Sequence, residues 1–210
     1  MGGRGATSSH GKTKAKAKPR QKGHLTADEI PKTPEETAKY IGSTVQEAKD
    51  MFDAVQDFTG SAYSGIRRAQ RGEKASDIPE LQKKYDSEAK RIEGYIERAP
   101  KWGGGVTYRG MSLPSSVVKG LTVGGTFDVN LGTASWSTQE STARSFSKSG
   151  SGSRHVVFVS QTQSKGTSIK HISYFAKENE VLVSKNARYT ITNISTKSGS
   201  PYTYVYVKEN

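Results

Sequence analysis

The chain contains no cysteine. Disulfide staples, thiolate metal centres and cysteine nucleophiles are thereby excluded. Histidine is nearly as scarce, and His10, His24, His155 and His171 show no HxxxH spacing, so no metal site is expected. No apolar run approaches the roughly 18 residues that cross a bilayer, and the N-terminus lacks the apolar stretch of a secretory signal. The sequence therefore predicts a soluble protein with no membrane partner and no standard export signal. Apolar residues make up only 32% of the 210 residues, which implies one domain with a modest core and some chain outside it. Any catalysis must run on carboxylates, hydroxyls or a cofactor.

Acidic residues are missing altogether from residues 1–24, which carry Arg4, Lys12, Lys14, Lys16, Lys18, Arg20 and Lys22. More than half of the formal net charge of +12 therefore lies in this segment. Gly, Ser and Ala separate the charges, and no large apolar residue follows Met1. Such a segment cannot bury enough surface to offset its ordering entropy. It reads as a disordered basic tail, either a solubilising extension or a contact to nucleic acid.

From Thr33 the texture changes. Thr33-Pro34-Glu35-Glu36 combines an N-cap, Pro at the first helical position and a capping-box Glu, so a short helix starts there and ends at Gly42. Ser43 with Gln46 repeats the capping pattern before Val45, Ala48, Phe52, Val55 and Phe58, which recur at helical spacing up to Gly60. A third helix is predicted over 61–70. A fourth runs from Pro79 to Arg98, with Leu81, Tyr85, Ile92 and Ile96 on one face. Pro100 and the triplet Gly103-Gly104-Gly105 close this half. The triplet lacks GxGxxG spacing and precedes a strand, so it is not a dinucleotide fingerprint.

Beyond Gly105 the period falls to two. Strands are predicted at 106–109, 126–129, 155–159, 180–183, 189–192 and 202–207, with short helices at 114–119 and 140–147. Helices followed by strands indicate an α+β fold with two packed antiparallel sheets. The expected layout is a helical region over 25–101 and a β-rich catalytic core over 102–210, with 25–210 one folded unit.

Three strand ends carry polar residues that a plain sheet does not need. Arg109 is followed by Gly110, beside which a ligand can approach backbone closely. Ser135-Trp136-Ser137 alternates two hydroxyls with an indole, and Glu178-Asn179-Glu180 places two carboxylates on one face of a strand. Each cluster taken singly has an ordinary structural reading as a surface charge, an edge strand or a solvated strand end.

Taken in order with 55–63, 92–100 and 106–110, they resemble the ADP-ribosyltransferase exoenzyme family, specifically its arginine-modifying R-S-E class. Ser135 to Phe146 is similar to that family's STS segment and following helix, and Ile172 to Val183 to its ExE loop and strand. The resemblance spans roughly 43–208. Trp136 departs from the usual Thr, and Arg67 stands where many members have Asn.

The resemblance implies an NAD cleft between two sheets and transfer of ADP-ribose from NAD, the co-substrate, with nicotinamide release. Glu180 is then the carboxylate that stabilises positive charge developing on the ribose, as in glycosidases. Ser135 would hold it in place, and Arg109 would pair with the pyrophosphate. Gly110 and Ser137 would meet NAD, and Phe146 the nicotinamide ring. Glu178 would activate an acceptor guanidinium, and Tyr174 and Phe175 would contact the target protein. The size resembles small phage-encoded or virion-associated members acting in the cytoplasm of a bacterial host. The alternative is an inactive transferase fold serving as a basic nucleic-acid-binding or virion-associated module.

Overall fold

A computed structural model describes residues 24–128, 132–196 and 199–210. Residues 1–23 of the basic tail, and Val129 of the strand expected at 126–129, lie outside them.

Four helices follow a two-residue strand at 24–25. Helix α1 (Pro34–Ile41) opens on the expected capping box, with Thr33 accepting from the Glu36 N–H and Glu36 reaching back to the Thr33 N–H, and ends on Gly42 in the left-handed conformation. Helix α2 (Val45–Thr59) is capped by Thr44, not Ser43: the Thr44 hydroxyl accepts from the Glu47 N–H at 3.1 Å. Ser43 is committed to the exit of α1, its N–H bonding the Ala38 carbonyl at 3.0 Å. Helices α3 (Tyr63–Gln70) and α4 (Pro79–Arg98) complete the layer. Val45 is exposed, so the buried stripe of α2 starts at Ala48 and continues through Met51, Val55 and Phe58.

Strands β1 (His24–Leu25) and β2 (Lys101–Trp102) form a small parallel pair that nothing in the sequence announced. The main sheet contains β3 (Thr107–Leu113), β4 (Ala134–Ser137), β5 (Arg154–Ser160), β6 (Gly166–Ser168), β7 (Glu180–Val183), β8 (Tyr189–Thr196) and β9 (Tyr202–Glu209), in the order β6-β7-β4-β3-β5-β9-β8. Helix α5 (Ser115–Lys119) follows β3, and α6 (Glu140–Lys148) follows β4.

The α+β class holds, with two differences. The strands form one continuous hydrogen-bonded ladder, and β5 with β9 is parallel. The ladder nearly parts in the middle: β3 is registered with β4 at a single pair, Tyr108 opposite Ser137, but with β5 along its whole length. A three-strand flank and a four-strand flank are therefore hinged at one point. The expected strand at 126–129 is reduced to a bridge between Thr126 and Thr190, because Gly124 and Gly125 turn the chain to bond Ile191 instead.

Alternation along the strands distributes the core. On β7, Leu182 packs with Phe58, Ile66, Ile92 and Ile96 of the helices, whereas Val181 and Val183 pack with Trp136, Phe158, Tyr189 and Val205 on the other face. Glu180, two residues before Leu182, therefore faces the helical layer. A third cluster joins Ala143 of α6 to Val157, Val159, Tyr202 and Tyr204. Among the described residues, no helix is long and apolar enough to cross a membrane.

Candidate active site

Beyond the Tyr108–Ser137 pair β3 and β4 part, and a cleft of about 700 Å³ opens there. Phe58, Thr59, Gly60 and Tyr63 line it from the helical side. Arg109, Gly110, Ser135, Ser137, Phe146, Phe175, Glu178 and Glu180 line it from the sheet, α6 and the loop before β7. Of the candidate site residues named from the sequence, all but Tyr174 line this cleft.

Arg109 is anchored from two sides. Its Nη1 donates to the Ser135 carbonyl at 2.7 Å, and its guanidinium also bonds the Tyr63 phenol. Tyr63 receives a second donor, Arg67 Nη1, at 2.7 Å. Burial acts to raise the Tyr63 pKa, yet the charges of Arg109 and Arg67 outweigh it and hold the phenol below its ordinary value. Desolvation in turn lowers the Arg109 pKa. An arginine in a protein nevertheless keeps its proton, so the cleft holds a fixed, oriented cation.

Glu180 is buried at the base of the cleft, where burial pushes its carboxyl from 4.5 up to about 7, and the nearby Glu178 charge adds to the rise. Hydrogen bonds from Ser135 and from the Ser173 hydroxyl, the latter at 3.3 Å, and the Arg109 charge pull the other way. Ser135 thus holds Glu180 through its hydroxyl and Arg109 through its carbonyl. Glu178 is only half-buried, and burial raises its pKa as well.

The two carboxylates reach the cleft differently from the expected strand alternation. Glu178 ends a short 3-10 turn (Ala176–Glu178), Asn179 is left-handed at φ 46°, and only Glu180 belongs to β7. The Ser137 hydroxyl donates to the Glu178 carbonyl at 2.6 Å and accepts from the Gln139 N–H at 2.9 Å. Its visible work is to tie the turn to β4. Gly110 likewise has a packing reason: a Cβ there would lie 1.7 Å from the Ala143 carbonyl of α6, so α6 rides directly on β3.

Trp136 turns into the core, against Tyr189 and opposite Val181, leaving the cleft face to Ser135 and Ser137. Phe146 is half exposed on the cleft wall. Tyr174 and Phe175 are also largely exposed: Tyr174 packs over Gly60, with its N–H on the Thr59 hydroxyl at 3.2 Å, and Phe175 lines the cleft. Sequence reasoning missed Tyr63, Ser173 and the helical wall at 58–60. The signals available were the Tyr63–Arg67 pair at i, i+4 spacing on α3 and the stretches 55–63 and 172–183 of the family resemblance, in which these residues lie.

An arginine, a serine and two glutamates are thus brought to one cleft where the sheet parts. The family model of the ADP-ribosyltransferase exoenzyme matches residues 34–210. The chain belongs to this family, whose members use NAD as co-substrate. Similar folds include the Vis toxin, an ADP-ribosyltransferase from Vibrio splendidus, with a TM-score of 0.66 at 23% identity over 91% of this chain and 89% of that one. A complex of Vis with agmatine superposes with a TM-score of 0.65 at 25% identity, over 89% and 87% of the two chains. Exoenzyme S from Pseudomonas aeruginosa, solved with human 14-3-3 beta and carba-NAD, gives 0.57 at 18% identity over 76% and 73%. No curated protein sequence matches the chain significantly.

Proposed function

We propose that this protein is a mono-ADP-ribosyltransferase that moves ADP-ribose from NAD to arginine side chains of target proteins. The observation that carries the reading is the pair of carboxylates at two depths of one cleft: Glu180 buried beside Ser135, and Glu178 half-buried on the turn above it. In this reading one serves the ribose and the other the acceptor. The cleft volume of about 700 Å³ lies within the roughly 300–1,000 Å³ of small-molecule sites.

In this reading Arg109, prealigned by Ser135 and Tyr63, pairs with the pyrophosphate of NAD. Phe146 meets the nicotinamide ring, and Gly110 and Ser137 line its approach. Glu180, ionised, accepts a hydrogen bond from the ribose and stabilises the positive charge that develops as the bond to nicotinamide breaks. The nicotinamide leaves with the electron pair of that bond. An acceptor guanidinium nitrogen forms the new bond to the ribose carbon, and its proton passes to Glu178. A guanidinium is a poor nucleophile while protonated, so a carboxylate at the mouth is what distinguishes transfer to arginine from hydrolysis. Tyr174 and Phe175 present apolar surface to the target protein beside that carboxylate. The capture of agmatine, an arginine analogue, by the similar Vis toxin supports the same acceptor chemistry here. An intact cleft with both carboxylates in place argues against an inactive fold.

Glu178→Gln tests the assignment. ADP-ribosylation of agmatine is expected to fall at least about a hundredfold, the scale of losing a key charged group, while nicotinamide release to water stays within about threefold. Equal loss of both reactions, or loss of neither, would overturn the division of labour between Glu178 and Glu180.

A further inference from the structure

Among the described residues, Asn179 is the only non-glycine residue with positive φ, at 46° with ψ 55°. It separates the two cleft carboxylates. An extended residue at this position would continue β7 backwards and carry Glu178 onto the same strand face as Glu180, two residues beyond the Ser137–Glu180 register pair. The left-handed residue instead ends the 3-10 turn, its N–H closing onto the Ala176 carbonyl at 3.3 Å. The chain reverses, and the main chain on both sides is tied to the end of β4. The Ser137 hydroxyl holds the Glu178 carbonyl at 2.6 Å, and the Thr138 N–H holds the Asn179 carbonyl at 3.2 Å. The Asn179 side chain bonds locally, Nδ2 to the Lys177 carbonyl at 3.3 Å, as asparagine does when it adopts this conformation.

We infer that Asn179 is a positioning residue, whose left-handed backbone holds the Glu178 carboxylate at the cleft mouth and so sets how far an arginine acceptor outcompetes water. This rests on the reading of Glu178 as the group that activates the acceptor. Glu180 depends on Asn179 much less, because its position is fixed by the β7 ladder, Ser135 and Ser173. The property that matters at 179 is tolerance of positive φ. Glycine keeps it, alanine resists it, and a β-branched valine resists it most.

The test is a series of Asn179→Gly, Asn179→Ala and Asn179→Val in the full chain, with nicotinamide release in water and ADP-ribosyl-agmatine formation measured side by side. The glycine variant should keep both reactions within about twofold, whereas valine should cut kcat/KM for agmatine transfer about tenfold, leave hydrolysis within about threefold, and alanine should fall between. Wild-type transfer in the valine variant, or a glycine variant as impaired as valine, would overturn the inference. Should valine abolish both reactions through misfolding, the glycine–alanine pair decides: equal transfer by these two is the overturning result. Glu178→Gln run in parallel separates the two layers. If it retains transfer, the acceptor reading fails; if it loses transfer while Asn179→Val does not, only the positioning role fails.

Discussion

The helical layer and the sheet treat charge in opposite ways. On the helices, most charges face outward in pairs such as Arg91–Asp50 and Arg98–Glu47, and the buried faces are mainly apolar, with Glu88 beside Lys84 the buried exception and Arg67 turned to Tyr63. Exposed pairs of this kind are each worth roughly 0–1 kcal/mol, so the layer is held mainly by Phe58, Ile66, Ile92 and their neighbours. On the sheet, Arg109 and Glu180 turn inward where β3 and β4 part. The helical wall meets them with Phe58 and with the Tyr63 phenol, which two guanidiniums share. One half therefore supplies a largely apolar surface, and the other accepts the desolvation of charges that the proposed chemistry uses. A site built on that seam should trade stability for activity on the sheet side only.

Glu180→Gln probes that trade most directly. Losing the charge should reduce both NAD hydrolysis and transfer by at least about a hundredfold. The same substitution should stabilise the fold, by an amount that grows with pH. The folded protein keeps the Glu180 proton up to about pH 7, whereas an unfolded carboxyl releases it near 4.5. Between these values the folded state binds more protons, so the stability Glu180 confers is fully present below 4.5 and is lost as pH rises through 7. Urea unfolding should therefore show wild type and variant nearly equal at pH 4.5, with the variant ahead by up to about 3 kcal/mol at pH 8. In the free wild-type enzyme, kcat/KM for NAD hydrolysis should rise through about pH 7 as Glu180 ionises. A variant less stable than wild type at pH 8 would mean that the charge is not a burden on the fold.

Smaller effects are expected where the helical wall assists the sheet. Arg109→Lys keeps the charge and loses the planar fork, so the KM for NAD should rise at least about tenfold with a smaller change in kcat. Tyr63→Phe removes the phenol that aligns Arg109 but leaves the ring packed on Phe58. It should raise the same KM about fivefold, as for one charge-assisted hydrogen bond. If Tyr63→Phe matches Arg109→Lys in size, the phenol contacts NAD itself and does more than align the arginine.

The α+β order, the four helices and most strands were legible in the sequence, because capping residues and the shift of period from 3.6 to 2 are local signals. The positions of Arg109, Ser135, Glu178 and Glu180 on one cleft were legible through their resemblance to a family, not through periodicity. Physical pattern alone misled at Glu178, since an ExE triplet looks like strand alternation and the left-handed Asn179 is a tertiary consequence of its ties to β4. Gly110 looked like room for a ligand, and its Cβ direction is filled by Ala143, a contact 33 positions away in sequence. Ser43 and Thr44 offer the same capping chemistry one residue apart, and the exit of α1 decides between them. Two- and three-residue strands such as β1 and β6 carry no periodicity to read.

The smallest effect tests where the folded unit begins. A tail boundary after residue 24 was expected, yet His24 pairs with Lys101 in β1, and its Nδ1 lies 3.0 Å from the Trp102 carbonyl. The Leu25 carbonyl accepts from the Gly103 N–H at 3.0 Å, which holds the start of the chain against the segment leading into β3. Trp102 belongs to the apolar cluster beneath the sheet, and its indole N–H bonds the carbonyl of Gly105, a residue at φ +92° that suits glycine. Removing residues 1–22 should leave NAD hydrolysis and thermal stability unchanged. Removing residues 1–24 should leave hydrolysis unchanged but cost about 1 kcal/mol, the scale of one lost hydrogen bond and its strand pairing, read as a Tm lower by a few degrees. Loss of hydrolysis in the shorter deletion would show that the basic tail contributes to the cleft, and equal Tm for the two deletions would show that β1 adds nothing to the helical layer or the sheet it joins.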